Sequence, residues 1–217
     1  KIEETSGSIT FSLDDKYIFY SKLDKHHRPR KIYRHKIGTL VKDDELIFEE
    51  KSEAFTVNIG LSSDEKYFFI STSDHNTSEQ YYFEANEEKP KPKLIQKRKK
   101  GIIYSVNSWE NFFYKHTNED AEDFKIDRCN NLENQNWKIF VPAKKEVLIG
   151  GLVFLKDWII RSETSNALGK LFLRNPKTNE EKEIIFSDEK VIVPDISLIQ
   201  KDRNTNLVYL SYSSPKT

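Results

Sequence analysis

A chain of 217 residues that is 36% hydrophobic and 12% aromatic carries enough apolar material for a globular core, which excludes disorder of the whole chain. Its 35 basic and 35 acidic residues cancel to a formal net charge of +0, so no global field gathers nucleic acid or an anionic membrane, and neither is expected as a partner. The lone Cys129 excludes an internal disulfide, and the longest apolar run, 147–155, falls far short of the roughly 20 residues of a membrane helix.

The first unit of the chain reads as strands at 9–12, 16–20, 31–35 and 45–49, and contains the stretch DDKYIFYS at 14–21. The second unit repeats it as DEKYFFIS at 64–71, with strands expected at 56–61, 66–70, 80–83 and 93–96. A third unit reads as 103–108, 111–115, 123–126 and 137–141, and a fourth as 150–155, 157–161, 170–173 and 183–186. A fifth offers only 195–200 and 206–210. The second strands start 50, 45, 46 and 49 residues apart, at Lys16, Lys66, Asn111, Asp157 and Asn206.

Four short strands per unit of about 45 residues, rich in Tyr, Phe, Ile and Val with polar turns between them, are the pattern of a β-propeller blade. A β-sandwich is the rival, but it does not explain why long and short connections recur in one order. The fold class is therefore all-β: a partial β-propeller of four four-stranded blades plus part of a fifth. As one incomplete domain over 1–217 it divides into blades near 8–50, 55–98, 103–142, 148–188 and a partial 193–213. Pro90, Pro92 and the basic run 97–100 fall near the fourth strand of the second blade, where they discourage edge pairing. The chain opens on Lys1, contains no Met and stops in mid-blade, so we expect a piece of a longer protein. Blade faces left open in such a piece predict self-association.

Chemistry-bearing motifs are absent. There is no Gly-x-Ser-x-Gly elbow, phosphate loop, dinucleotide glycine pattern or zinc spacing, so no catalytic residue, cofactor or metal is expected. His26-His27 has no third ligand at a useful spacing, and Glu119, Asp120, Glu122 and Asp123 do not follow a calcium-loop pattern. Cys129 reads as a strand end, and with no leader pattern ahead of Asn76-Thr77-Ser78 the expected compartment is the cytoplasm.

Several stretches resemble the propeller domain of the prolyl oligopeptidase family of serine peptidases, particularly its oligopeptidase B (protease II) branch. They are HRPRKIYRHKIGT at 27–39, DELIFEE at 44–50, DHNTSE at 74–79, TNEDAEDFKI at 117–126 and SYSSPKT at 211–217. The resemblance implies a gate that admits short peptides to an α/β-hydrolase domain absent from this chain, with cleavage after Arg or Lys. It also implies that the loops between second and third strands, at 23–30, 72–79, 116–123 and 163–169, face that domain. Asp74, His75 and Asn76 are then the first substrate-facing candidates, followed by Glu79, Glu119 and Asp120. Arg28 and Arg30 are candidates for pairing with a carboxylate of the hydrolase domain. The alternative function is a free-standing interaction scaffold, or the remnant of a decayed peptidase.

Overall fold

The computed structural model describes residues 1–185, 193–197 and 204–213. Four antiparallel sheets of four strands follow one another along the chain, each a meander in sequence order. The first comprises β1 (Thr5–Phe11), β2 (Tyr17–Leu23), β3 (Pro29–Lys36) and β4 (Glu45–Glu49). The second comprises β5 (Thr56–Leu61), β6 (Tyr67–Ser73), β7 (Ser78–Glu84) and β8 (Lys93–Gln96). The third is built from β9 (Tyr104–Trp109), β10 (Phe112–Thr117), β11 (Lys125–Cys129) and β12 (Lys138–Val141), and the fourth from β13 (Leu148–Phe154), β14 (Ile159–Ser165), β15 (Leu168–Arg174) and β16 (Glu181–Glu183). A final pair joins β17 (Val193–Ser197) to β18 (Tyr209–Ser213). Among the described residues the only helical element is a single turn at Val41–Asp43, and no helix is long and apolar enough to cross a membrane.

β4, β5 and β8 occupy the expected residues. The second strands run two to four residues beyond expectation, because the ladder continues through Ser21, Thr72, Ser73 and Thr164 after the aromatic and aliphatic signal has stopped. The expected strand at 183–186 is instead β16 at Glu181–Glu183, held against β15 by three paired residues. Residue 186 and residues 198–200 of two expected strands lie outside the described residues.

The repeated sequence produces a repeated turn. In the first sheet the Ser12 hydroxyl donates to Asp14 Oδ1 at 2.7 Å and accepts from the Tyr17 amide at 3.0 Å, with Asp15 at φ 56°. In the second, Ser62 donates to Asp64 at 2.8 Å and accepts from the Tyr67 amide at 3.0 Å, with Glu65 at φ 57°. The Ser-x-Asp pattern thus fixes the β1–β2 and β5–β6 hairpins by the same local hydrogen bonds.

By contact the chain groups into two compact units, 1–119 with 128–137, and 120–127 with 138–217. In the first, Phe19 and Ile32 pack on Val57, Ile59, Phe68, Ile70 and Phe83, burying the facing surfaces of the first two sheets. The Phe19 and Phe68 rings lie 4.6 Å apart. The other face of the second sheet, through Phe69 and Tyr82, packs on Tyr104, Val106, Phe113 and Cys129. The second unit has its own smaller core of Leu155, Ile160 and Leu171, with Val153, Trp158, Leu173 and Ile184 around it. In the first sheet, by contrast, Ile9, Phe11 and Leu46 remain about half exposed.

Candidate functional site

The connections between second and third strands are short and locally tied. In the second sheet Asp74 Oδ1 accepts from the amides of Asn76 at 2.9 Å and Thr77 at 2.8 Å, closing an Asx turn. Fifty residues earlier Asp24 closes the corresponding turn, accepting from the amides of His26 at 2.8 Å and Arg28 at 3.0 Å. These amides hold the Asp24 carboxyl below its ordinary range, the Arg28 bond contributing most. Asp74, His75 and Asn76 are exposed together on this turn. Thr77 is buried behind it, and its hydroxyl accepts from the Gly101 amide at 3.1 Å.

The other sequence-derived candidates divide. Glu119 is half-buried, accepting from Gln96 Nε2 at 3.0 Å, with Lys115 Nζ at 3.8 Å and Lys99 Nζ at 4.0 Å. Asp120 is exposed at φ 54°. Glu79 is not a loop residue: it lies in β7, buried, at the centre of an ion cluster. Its carboxylate accepts from the Arg98 amide at 2.7 Å, the Arg98 guanidinium at 2.9 Å and the Tyr81 hydroxyl at 2.8 Å. Arg28 and Arg30 are committed within their own region, Arg28 to the carbonyls of Glu53 and Ala54 and Arg30 to the carbonyl of Glu50. Every donor used in this way stiffens the chain between the first two sheets.

Arg98 joins Glu79 to the buried Glu50, 2.6 Å away, and stacks 4.0 Å from the centre of the Phe55 ring. Burial on its own would raise the Glu79 carboxyl, yet the bonds from Arg98 and Tyr81 outweigh it and hold the group below its ordinary value. Burial, then the bond to Glu79, pushes the Tyr81 hydroxyl up to about 12. Arg98 belongs to the basic run 97–100, which was expected only to protect an edge; this one member is instead the half-buried counter-ion of two buried carboxylates.

The second unit contains a comparable cluster that the sequence reading missed. Arg161, 2% exposed, donates to Glu163 at 2.8 Å and to Glu181 at 2.6 Å and 3.1 Å, over the Phe172 ring at 4.6 Å. Lys144 reaches the same Glu163 at 2.8 Å. Burial would lower the Arg161 guanidinium, but these carboxylates raise it. A signal was available: Tyr20, Ile70, Lys115 and Arg161 occupy the same place in the four aligned second strands, and all four are buried. A cation where other copies carry an apolar or aromatic residue implies buried partners. Cys129 closes β11, buried, with its thiol donating to the Asn131 carbonyl and pushed up to about 11 by that burial. It has the character of a packing residue, not of a nucleophile.

Comparison with known proteins places these features in context. The family model described as the N-terminal β-propeller domain of prolyl oligopeptidase matches residues 1–217. Protease 2 of Moraxella lacunata is 31% identical over 215 residues, which is 97% of this chain and 30% of that protein. Dipeptidyl aminopeptidase BI of Pseudoxanthomonas mexicana is 24% identical over 220 residues, again 30% of its length. The chain thus spans about a third of the length of these relatives. Oligopeptidase B from Trypanosoma brucei, in a closed form with covalently bound antipain, superposes with a TM-score of 0.91 at 23% identity, over 100% of this chain and 32% of that one. Oligopeptidase B from Leishmania major gives 0.87 at 18% identity, over 97% and 31%. At these identities the likeness establishes the fold: the four-stranded sheets are blades of a partial β-propeller, as the repeats predicted.

Proposed function

The chain belongs to the prolyl oligopeptidase family, as sequence of its N-terminal β-propeller domain, and from that premise we propose that it gates a serine oligopeptidase of the oligopeptidase B type. In this reading the propeller excludes folded proteins and admits short peptides, and an α/β-hydrolase domain beyond this chain cleaves them after Arg or Lys. The observation that carries it is the match to the propeller model from residue 1 to residue 217, joined to 31% identity with a protease more than three times as long. The covalently bound antipain in the T. brucei relative supports a peptide-like ligand for the parent.

Asp74, His75 and Asn76 are the substrate-facing residues we propose first. The Asx turn holds them out from the blade end, and Asp74 Oδ2 takes no partner among the described residues, which suits it to a cationic peptide. Glu119 and Asp120 come second, since Glu119 already answers Lys115. The test is cleavage of short peptides with Arg or Lys before the scissile bond by the full-length parent, beside the same protein carrying Asp74→Ala. We expect cleavage by the parent and a rise in KM for the variant. A folded parent that cleaves no such peptide sinks the reading. Half-exposed Ile9, Phe11 and Leu46 also support self-association of the chain alone, and sedimentation as a monomer across a concentration series would refute that.

A further inference from the structure

At the end of β6 away from the Asp74 turn, a cavity of about 490 Å³ opens between the second and third sheets, inside the first compact unit. Its volume is that of a small-molecule site. Strand register assembles one wall. Tyr67 pairs with Glu84, Phe69 with Tyr82 and Tyr82 with Lys93, so these side chains share the face of the second sheet that packs on the third. The facing wall is Phe113 of β10 with Asn130, Leu132 and Glu133 of the β11–β12 connection. The centre of the Tyr67 ring lies 5.1 Å from that of Phe113 and 6.1 Å from that of Tyr82, which brings three rings to one space.

Two features of this cavity are not accounted for by packing. Tyr82 is only 8% exposed, yet its hydroxyl has no hydrogen-bond partner among the described residues, and the same holds for the half-buried Tyr67. A buried phenol ordinarily has one. Burial raises both hydroxyls, and the charges acting on Tyr82 are then Lys93, Glu133 and Glu84, all of which line the cavity. Both groups are therefore neutral near pH 7 and free to accept a donor. The second feature is charge. Glu84, Glu87 and Glu133 line the cavity against the single cation Lys93, so three carboxylates against one ammonium leave two negative charges in excess. Lys93 sits 3.3 Å from Glu133, and Glu84 and Glu87 have no ion pair among the described residues. Asp64, the other carboxylate near Tyr67, is answered by Lys66 at 3.8 Å.

From this geometry we propose that the cavity binds a small organic cation, a guanidinium or primary ammonium carried on a short alkyl chain. Its N–H groups donate to the Tyr67 and Tyr82 hydroxyls and to Glu84, its charge is held by the aromatic rings and the unpaired carboxylates, and its alkyl chain rests on Phe113 and Leu132. Other ligand classes fit less well. An anion meets the carboxylates, a neutral apolar molecule leaves both hydroxyls unpaired, and no group of three or more metal-ligating side chains occurs among the described residues. The site does not depend on the gating role, because none of its residues lies in a loop between second and third strands.

The test titrates the full-length parent with n-butylguanidinium, followed by saturation-transfer NMR, with antipain added first to fill any peptidase site. A dissociation constant of about 1 mM is expected. Tetramethylammonium, which has the charge but no N–H to donate, should bind about two- to tenfold more weakly, and uncharged n-butanol more weakly again. Tyr82→Phe keeps the ring and removes only the unpaired hydroxyl. It should weaken butylguanidinium about two- to tenfold and leave tetramethylammonium unchanged, a split that a purely structural role does not produce. E84Q/E87Q should weaken both cations about three- to tenfold at low ionic strength, by an amount that shrinks with salt, while E88Q, outside the cavity, changes neither. No binding of butylguanidinium up to about 10 mM overturns the inference, as does an affinity that both Tyr82→Phe and E84Q/E87Q leave unchanged. Acetylarginine methylamide carries the same guanidinium on a peptide backbone. If it binds as tightly as butylguanidinium the cation comes from a peptide side chain, and if more weakly, from a free small molecule; either upholds the site. Should E84Q/E87Q fail to fold, Tyr82→Phe and the ranking of the three probes in the unmodified protein decide.

Discussion

Ile70 in the second blade and Arg161 in the fourth hold the same position of the same repeated strand, yet the surroundings answer them in opposite ways. Ile70 is fully buried among Phe68, Phe83 and Val57 and asks nothing of its neighbours beyond close packing. Arg161 is equally buried, and Glu163, Glu181 and the Phe172 ring are all arranged around its guanidinium. Their partners on the third strand are aromatic in both cases, Tyr81 opposite Ile70 and Phe172 opposite Arg161. The blade therefore dictates burial and an aromatic neighbour at this place, and leaves the chemistry of the buried group to be settled by two or three nearby residues.

Breaking that arrangement has its largest effect where the charge is. Arg161→Ala leaves the buried Glu163 with Lys144 alone and takes the guanidinium from Glu181, and should cost about 3 kcal/mol, read from urea unfolding. The comparison then supplies its own rescue. Thr72 stands two residues beyond Ile70 as Glu163 stands beyond Arg161, so Arg161→Ile with Glu163→Thr copies the second blade into the fourth. Removing both charges should recover most of the loss, since a buried ion pair is often no more stabilising than apolar residues of similar volume. A double variant as unstable as the single one would mean that the fourth blade cannot pack an apolar residue there.

Arg98 is the second test, because it does for the second blade what Arg161 does for the fourth while sitting outside the strands. Arg98→Ala strands Glu50 and Glu79 together and should cost about 3 kcal/mol. The cluster also has a pH signature. The folded Glu79 carboxyl lies below its ordinary 4.5, so its contribution is present above the unfolded value and is lost as pH falls through the folded one. Acid unfolding followed with and without Arg98→Ala should therefore differ in slope below the ordinary carboxylate range, and parallel curves would rule out this account.

The first strands offer a third and smaller contrast. A Cβ on Gly60 of β5 meets nothing within 4 Å, whereas one on Gly150 of β13 lies 2.0 Å from Ser162 Oγ and 3.0 Å from its carbonyl oxygen. Gly150 sits where the β13–β14 register shifts between Ile149 and Leu152, and the close approach of the two strands depends on it. Gly150→Ala should lose about 1–3 kcal/mol, while Gly60→Ala should be neutral or gain roughly 0.5 kcal/mol. Equal melting temperatures for the two variants would remove the bulge as a cause.

The alternation of aromatic and polar residues made the blades legible, and polar turns marked their first hairpins, whereas the Ser12 and Ser62 hydrogen bonds that fix those turns emerged only in the structure. Strand ends were less so, because Thr72, Ser73 and Thr164 continue a ladder without announcing it in hydropathy. The Asp74 turn was readable as a loop of polar residues, and the structure keeps Asp74, His75 and Asn76 exposed there. Glu79 was misread because a carboxylate next to a polar loop looks solvated; the guanidinium that buries it comes from 19 residues away, in a run that looked like plain surface charge. Local pattern reports period and turn chemistry, whereas partners distant in sequence decide which charges are buried.

The smallest expected effect completes the comparison of the two strands, at the position after next. Glu163 finds both Arg161 and Lys144, but Thr72 is fully buried and its hydroxyl has no hydrogen-bond partner among the described residues. A buried hydroxyl left unpaired opposes folding, since it gives up its bonds to water and regains none. Thr72→Val keeps the shape and removes the unpaired group, so it should stabilise the chain by about 1 kcal/mol, a rise of a few degrees in Tm. If Thr72→Val is instead destabilising, the hydroxyl has a partner in solution, and the second blade answers its buried polar group as the fourth does.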